Sequence, residues 1–228
     1  MQSVHEKCVL IDICGTLYFS NTTFDFFDSF IRRKSYRAFR WFFKTFAGRA
    51  VNKIAVEFFK RDLIRYVAVR YLRGMKKTYL LEQARDFYKT FWEYLRNEDA
   101  MEELNHFRAK GYTIILASAT LDFIAEVIAE HLEISCFFGT TLDYDGEDIC
   151  LGTMRQDRLG HKSEALDAMG VTIPYFCVMT DNVTDKDLLR RADSAILIKY
   201  PHTVQRWTSL ISKYHLNIIK SYIYNENL

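Results

Sequence analysis

Residues 8–19 of the chain are CVLIDICGTLYF. This stretch begins with four apolar residues in a row, which is typical of a strand buried on both faces of a parallel sheet. Asp12 follows at once, and Gly15 and Thr16 then provide a tight turn. In open α/β sheets, ligands bind at the carboxyl ends of the strands. The stretch therefore predicts a parallel sheet with a carboxylate at its ligand-binding edge.

Length and composition indicate an ordinary globular protein. The chain has 228 residues, enough for one full domain and a modest second one. The first residues, MQSVHEK, are polar, and no apolar run reaches the roughly 20 residues of a membrane span. Five scattered cysteines without CxxC spacing favour reduced thiols over disulfides or a zinc site. We therefore expect a cytoplasmic protein.

The charges are distributed very unevenly along the chain. The net charge is +2, but residues 31–77 contain 15 Lys/Arg and only two acids, which leaves −11 for the remainder. Aromatic residues are interleaved with these cations, as in FIRRKSYRAFRWFFKTF. Three interpretations stay open: solvated helix faces over an aromatic core, a field that steers an anionic substrate, and peripheral attachment to an anionic membrane surface. No nucleic-acid module is recognisable, so no nucleic-acid partner is expected.

The pattern of apolar residues divides the chain into two regions. Spacings of three and four predict about four helices between residues 23 and 98, broken near Gly48 and Gly74. From residue 99 onward strands and helices alternate, which predicts a parallel sheet with right-handed crossovers. Asp145-Gly146 predicts a hairpin turn, and the tail over 204–224 predicts a packing helix. The expected fold class is α/β, a Rossmann-like core of residues 1–20 and 99–228 with an inserted all-helical cap of residues 21–98.

Other chemically capable residues lie at the ends of the later elements. Ser118 ends the apolar run YTIILASA, Lys162 begins a helix, and Asp181 and Asp185 follow the run YFCVM. In a parallel sheet these ends converge on the crevice that holds Asp12. Three carboxylates close together repel one another unless a hard cation such as Mg²⁺ is bound. A lysine and a hydroxyl beside them would hold a phosphoryl group, and Asp12 could then attack phosphorus as a nucleophile.

Taken in order, these segments resemble the motifs of the haloacid dehalogenase (HAD) superfamily, and most of all its phosphoserine-phosphatase-like branch. IDICGTL resembles the nucleophile motif, DxDGT followed by Leu or Val. Ser118, after an apolar run, matches the second motif. Lys162, in GHKSEAL, matches the third. TDNVTDKDLL resembles the acidic fourth motif, GDSxxDxxLL. A helical cap inserted between the first two motifs is also typical of this branch.

The resemblance implies a role for each matching residue. It implies catalysis by three residues: Asp12 as nucleophile, Cys14 and Lys162. It implies phosphate binding by five residues: Thr16, Ser118, Ala119, Lys162 and Asn182. It implies Mg²⁺ binding by four residues: Asp12, Cys14 through its backbone carbonyl, Asp181 and Asp185. The implied substrate is a small phosphorylated metabolite or a lipid-like phosphate.

Cys14 departs from the pattern of the family. Phosphatases of the family carry there an aspartate that protonates the leaving oxygen and then activates water. A thiol, with an ordinary pKa of about 8.5, is a poor replacement, and such acid–base catalysis contributes about 10²–10⁴-fold. We therefore expect slow turnover, a leaving group that needs no proton, or binding of a phosphorylated ligand or a partner without turnover. Cys14 is not expected to act as a tyrosine-phosphatase nucleophile, because the arginine required six residues later is Ser20.

Overall fold

The apolar run at the start of the chain forms β1 (Cys8–Ile11), the central strand of a seven-stranded sheet. The computed structural model describes residues 7–59, 62–171 and 175–225. Across the sheet the order is β4-β3-β2-β1-β5-β6-β7, and only the β3–β4 pair is antiparallel. The other strands are β2 (Thr113–Leu121), β3 (Cys136–Tyr144), β4 (Cys150–Gln156), β5 (Tyr175–Thr180), β6 (Ala192–Lys199) and β7 (Ile218–Ile223).

Helices connect the strands and fill the long segment between β1 and β2. None of the helices in the described ranges has the length and apolar character to cross a membrane. The α-helices are α1 (Thr22–Phe30), α2 (Lys34–Lys44), α3 (Phe46–Phe59), α4 (Leu63–Val69), α5 (Lys77–Thr90), α6 (Glu98–Ala109), α7 (Asp122–His131), α8 (Lys162–Ala168), α9 (Lys186–Leu189) and α10 (Val204–Tyr214). The predicted α/β class and parallel core are thus confirmed.

The segment with α1–α5 leaves and re-enters the core at one place. The Phe19 N–H donates to the Leu95 carbonyl at 2.8 Å, and the Asn97 N–H donates to the Leu17 carbonyl at 2.9 Å. These bonds hold the two ends of the insertion side by side next to the Gly15–Thr16 turn. Buried residues of α1 and α5 also belong to the hydrophobic cluster that covers one face of the sheet. The division into core and cap stays a prediction.

The break predicted near Gly48 lies earlier, at Thr45. Thr45 separates α2 from α3, and its hydroxyl donates to the Phe42 carbonyl at 2.6 Å and accepts the Gly48 N–H at 3.2 Å. Gly48 lies inside α3, where a Cβ atom would stand 2.3 Å from the Phe42 carbonyl oxygen. The glycine therefore marks close contact between two helices rather than a helix end.

The prediction of one helix over 204–224 was wrong beyond Tyr214. His215 adopts φ 50° in the left-handed region and ends α10. The chain then forms β7, which pairs in parallel with β6 at the edge of the sheet. Tyr222 anchors this strand by donating its hydroxyl to Glu103 Oε1 at 2.7 Å. The hairpin predicted at Asp145 is present between β3 and β4.

Candidate active site

A buried ion chain joins three of the predicted residues. Asp12 follows β1 and Lys162 begins α8, and the Lys162 ammonium lies 2.7 Å from Asp12 Oδ2 and 2.7 Å from Asp185 Oδ2. Lys162 is only 3% exposed. Burial disfavours the charged ammonium, but Asp12 and Asp185 outweigh this effect and raise its pKa. The lysine is therefore a fixed positive charge at the carboxyl ends of the strands.

The Gly15–Thr16 turn is fitted against Asp181. The Thr16 hydroxyl donates to Asp181 Oδ1 at 3.1 Å and accepts the Asp181 N–H at 2.9 Å. Gly15 has φ 67°, and a Cβ atom there would lie 2.3 Å from Asp181 Oδ2. The Tyr200 hydroxyl donates to the Gly15 carbonyl at 2.8 Å. Glycine is thus required both by the backbone conformation and by the nearby carboxylate.

The two acidic residues after β5 have different surroundings. Asp185 accepts the Thr180 hydroxyl at 2.8 Å as well as the Lys162 ammonium, so it holds the lysine in place. Asp181 has no ion pair with any residue in the described ranges. Burial, followed by repulsion from Asp12, raises the pKa of Asp181 to about 8. Among the described residues, the site therefore contains one carboxyl group that no lysine or arginine contacts directly.

The Cys14 thiol belongs to a row of hydroxyl groups. Its Sγ lies 2.8 Å from Thr22 Oγ1, and the Thr22 hydroxyl donates to Thr120 Oγ1 at 2.8 Å. Because the Thr22 hydrogen is directed to Thr120, the thiol is the donor in its bond to Thr22. Burial and the neighbouring Asp12 raise the pKa of Cys14 to about 11. Cys14 is thus a neutral thiol at pH 7.

The second motif lies inside β2 rather than at its end. Ser118 is fully buried, and its hydroxyl accepts the Thr120 N–H at 3.2 Å. The Ala119 carbonyl accepts the Arg65 guanidinium at 2.5 Å. Asn182 uses its side-chain oxygen to accept the N–H of Thr184 at 3.0 Å. These three residues line the same cavity as Asp12, and each also has a local structural partner.

Arg65 and Thr22 were not predicted as site residues. Arg65, in α4 of the insertion, is 6% exposed, forms an ion pair with Asp157 at 3.0 Å and donates to Thr140 Oγ1 at 2.9 Å. In the sequence it is one of 15 cations in a basic region, and nothing in its local pattern separates it from the others. Thr22 is the first residue of a helix, where a threonine is common, so its contact with Cys14 had no sequence signal.

A cavity of about 450 Å³ opens above the ion chain, within the size range of small-ligand sites. Three predicted residues, Thr16, Lys162 and Asp185, do not line it but hold those that do. The insertion contributes Phe24, Asp62 and Arg65 to the opposite wall. The predicted residues that line the cavity are Asp12, Cys14, Ser118, Ala119, Asp181 and Asn182.

The donor set fits a hard divalent cation bound partly by non-protein ligands. Within residues 7–59, 62–171 and 175–225, no three Asp, Glu, His or Cys side chains are grouped closely enough to bind a metal by themselves. Asp12 and Asp181 both face the cavity, and only Asp12 contacts a lysine. Mg²⁺ commonly takes one or two carboxylates and completes its octahedron with water and substrate phosphate.

Solved structures with the same fold include several phosphatases. A protein of unknown function from Bordetella pertussis Tohama I superposes with a TM-score of 0.69 at 16% identity, over 94% of this chain and 98% of that one. A substrate-bound phosphoserine phosphatase gives 0.57 at 13% identity, over 88% and 90%. Cytosolic 5′-nucleotidase IIIB bound to cytidine gives 0.61 at 12% identity, over 94% and 80%. At these identities the likeness establishes the fold alone.

Comparison of the sequence with family profiles identifies the family of this protein. No curated protein matches it significantly. The family profile of haloacid dehalogenase-like hydrolases matches residues 9–190, which include Asp12, Lys162 and both aspartates after β5. The match covers most of the chain, so this protein belongs to the haloacid dehalogenase-like hydrolases.

Proposed function

We propose that this chain is a phosphohydrolase in which Asp12 attacks the phosphorus of a small phosphorylated substrate. The observation that carries the proposal is the buried Asp12–Lys162–Asp185 chain beneath a cavity of about 450 Å³. Lys162 is charged and fixed, so it can neutralise a phosphoryl oxygen beside the attacking carboxylate. Two structures of the same fold are named as a phosphoserine phosphatase and a 5′-nucleotidase, which favours a phosphate monoester.

The reaction would proceed in two displacements. In the first, a carboxylate oxygen of Asp12 forms a bond to phosphorus while the bond from phosphorus to the leaving oxygen breaks. The leaving group departs as an anion and takes its proton from the solvent, because Cys14 supplies none. In the second, water attacks the phosphorus of the aspartyl-phosphate and gives up a proton to the solvent while the bond from Asp12 to phosphorus breaks. Inorganic phosphate is released and the Asp12 carboxylate is restored. Ser118, which lines the cavity, would contact the phosphoryl group, Lys162 would stabilise its charge from beneath Asp12, and Thr16 would hold Asp181 in place.

We also propose that the site uses Mg²⁺. Asp12, the backbone carbonyl of Cys14 and Asp181 would hold the ion, which supplies charge neutralisation of the phosphoryl oxygens when bound. The support is that Asp181 is a carboxylate with a pKa raised to about 8 and no ion pair in the described part of the chain. A divalent cation would remove the repulsion between Asp181 and Asp12.

The insertion is proposed to act as a cap that selects the substrate. Phe24, Asp62 and Arg65 form the wall of the cavity that faces the predicted nucleophile. Arg65 is held by its ion pair to Asp157, so the wall is fixed rather than adaptable at this point. On this side a small molecule would meet the ring of Phe24, the carboxylate of Asp62 and a guanidinium that is already paired with Asp157.

Cys14 limits the chemistry that this site can perform. A thiol with a pKa of about 11 is a weak acid toward a leaving oxygen and, being neutral, a weak base toward water. Turnover should therefore be restricted to leaving groups that are stable without a proton. The same observation favours a second candidate function, in which the domain binds a phosphorylated ligand without turning it over.

The test compares leaving groups of different acidity in a phosphatase assay with Mg²⁺. Wild type should hydrolyse an aryl phosphate with an acidic phenol but not an alkyl phosphate. Cys14→Asp should raise alkyl phosphate hydrolysis by about 10²-fold because it adds a proton carrier. Cys14→Ser, which keeps a small hydrogen-bonding group without a carboxylate, is the matched control and should give no gain. Asp12→Asn should abolish both activities.

The results also separate the two candidate functions. Hydrolysis that survives Asp12→Asn would overturn the proposed nucleophile. No hydrolysis by wild type or Cys14→Asp would remove the enzyme proposal. In that case, a rise in thermal midpoint with inorganic phosphate and Mg²⁺, lost in Lys162→Met, would support the binding function.

A further inference from the structure

Helices α2 and α3 form a hairpin, residues 34–59, with an unusually apolar tip; we call it the basic hairpin. Trp41 is 71% exposed and Phe46 is 85% exposed, and they flank the turn at Thr45. Of the thirteen large hydrophobic side chains that are exposed in the described ranges, five fall within 14 consecutive residues. These five are Trp41, Phe42, Phe46, Val51 and Ile54.

The apolar side chains of α3 share one face of the helix. At about 100° per residue, Phe46, Ile54 and Val51 span about 140° of its circumference. The turn between α2 and α3 is held in one conformation. Thr45 is hydrogen-bonded to residues on both sides of it, and Gly48 lets α3 contact α2. The exposed apolar surface is therefore part of a defined helical structure.

Six cations belong to the basic hairpin, and one of them has an acidic partner. Arg40 is paired with Asp28 at 2.7 Å, and its guanidinium lies over the ring of Phe24. The other cations of the hairpin are exposed, and none has an ion pair with a described side chain. They are Lys34, Arg37, Lys44, Arg49 and Lys53.

We propose that the basic hairpin attaches the protein peripherally to an anionic phospholipid surface. Aromatic and aliphatic side chains at the tip would enter the headgroup region, and the unpaired cations would contact anionic headgroups, as in other basic amphipathic helices. A symmetric contact between two copies of this chain would bring the two sets of cations together, which repulsion disfavours. Charge complementarity therefore selects the lipid surface as the occupant.

The tryptophans provide a direct probe of this binding. The chain has three tryptophans, and Trp92 and Trp207 are fully buried, so an environment-dependent shift in emission reports on Trp41. Vesicles of phosphatidylcholine with about one-third phosphatidylglycerol should shift the emission to the blue, and the protein should float with them. Vesicles of phosphatidylcholine alone should do neither. Raising the salt concentration should release the protein.

Two pairs of substitutions separate the apolar and the electrostatic contributions. Trp41→Ser with Phe46→Ser should lower partitioning in flotation at least ten-fold. Tyr94→Ser with Ile223→Ser, equally exposed side chains at 79% and 65% outside the hairpin, should leave it unchanged. Lys44→Glu with Lys53→Glu should lower partitioning by about five-fold per residue. Lys89→Glu with Lys110→Glu, two exposed lysines elsewhere, should have little effect.

Three outcomes would overturn the proposal. One is the absence of vesicle binding by wild type, and another is equal binding to neutral and anionic vesicles. The third is a wild-type oligomer that Trp41→Ser with Phe46→Ser converts to monomer without any vesicle binding, measured by sedimentation velocity. That result would assign the surface to contacts between copies. None of these outcomes depends on the proposed hydrolysis.

Discussion

Asp181 is a partly buried carboxylate whose charge no lysine or arginine in the described ranges neutralises by direct contact. Its pKa rises from an ordinary 3.8 to about 8, first through burial and then through Asp12. The folded protein therefore binds a proton more tightly than the unfolded chain does. The contribution of Asp181 to stability is complete below pH 3.8 and is lost as the pH rises through about 8.

Asp181→Asn should make the free energy of unfolding less dependent on pH, because the amide stays neutral. Between pH 5 and 8 the wild type should lose up to about 1.4 kcal/mol per pH unit relative to the variant, measured by urea unfolding without divalent cations. Asp187→Asn, at an exposed carboxylate, is the control and should keep the wild-type slope. Parallel slopes for wild type and Asp181→Asn would show that Asp181 does not carry the proton.

Residues with a fixed place in a strand or at the start of a helix could be predicted from the sequence. Asp12 ends an apolar run and Lys162 begins a helix, so the parallel sheet brings them together whatever their side chains do. Thr22 and Thr120 could not be predicted in the same way. Their contact with each other joins positions 98 residues apart, and Thr22 also contacts Cys14; both contacts arise from side-chain packing, which local sequence patterns do not encode.

At the scale of elements, Gly48 determines how α2 and α3 pack. A Cβ atom there would lie 2.3 Å from the Phe42 carbonyl oxygen and 2.7 Å from the Phe43 Cα, and backbone atoms cannot move aside easily. Inside an isolated helix, alanine is favoured over glycine by about 1 kcal/mol. Gly48→Ala should nevertheless lower the protection of α2 and α3 amides in hydrogen exchange, because the overlap outweighs that gain.

The sign of the effect makes this test decisive. Gly146→Ala is the control, because nothing lies within 4 Å of its added methyl group. It should leave the protection of the α2 and α3 amides unchanged. Increased protection of α2 and α3 in Gly48→Ala would mean that helix propensity dominates and that the two helices are not in close contact.

The end of the chain explains why one element was predicted incorrectly. Residues 204–214 have the helical spacing of apolar side chains and form α10. The following segment is short and has mixed polarity, so the sequence pattern did not separate it from the helix. Its strand state depends on pairing with β6 and on the bond from Tyr222 to Glu103, contacts that are distant in sequence. Edge strands of this kind are set by tertiary structure more than by propensity.

The many cations in residues 31–77 include side chains exposed to solvent and a side chain buried in contact with the core. The cations of the basic hairpin other than Arg40 are exposed to solvent, whereas Arg65 is buried against the sheet. The sequence predicted the charge asymmetry but could not distinguish these two environments, because burial of Arg65 depends on Asp157 and Thr140 in the distant β3–β4 region. The insertion is thus tied to the core at the rim of the cavity.

Arg65→Met should lower the free energy of unfolding by about 2–4 kcal/mol, because it leaves Asp157, whose side chain is only 17% exposed, without its cation. The expected loss is large since the guanidinium also donates to the Ala119 carbonyl and to Thr140. Arg155→Met, which breaks an ion pair to Asp143 with the arginine side chain 63% exposed, is the matched control and should cost less than about 1 kcal/mol. Both values come from urea unfolding.

A double-mutant cycle then tests whether the pair itself is responsible. Asp157→Asn removes the charge that Arg65 leaves behind, so Arg65→Met combined with Asp157→Asn should be less destabilised than the sum of the single variants by about 1–3 kcal/mol. Additive losses would mean that Arg65 acts through packing and its bonds to Ala119 and Thr140 alone.

The pair of Arg65 and Asp157 would also hold the second motif in position, because Ala119 lines the cavity beside Ser118 and accepts the Arg65 guanidinium. Loss of the pair should therefore raise the KM for an aryl phosphate while Asp12 remains intact.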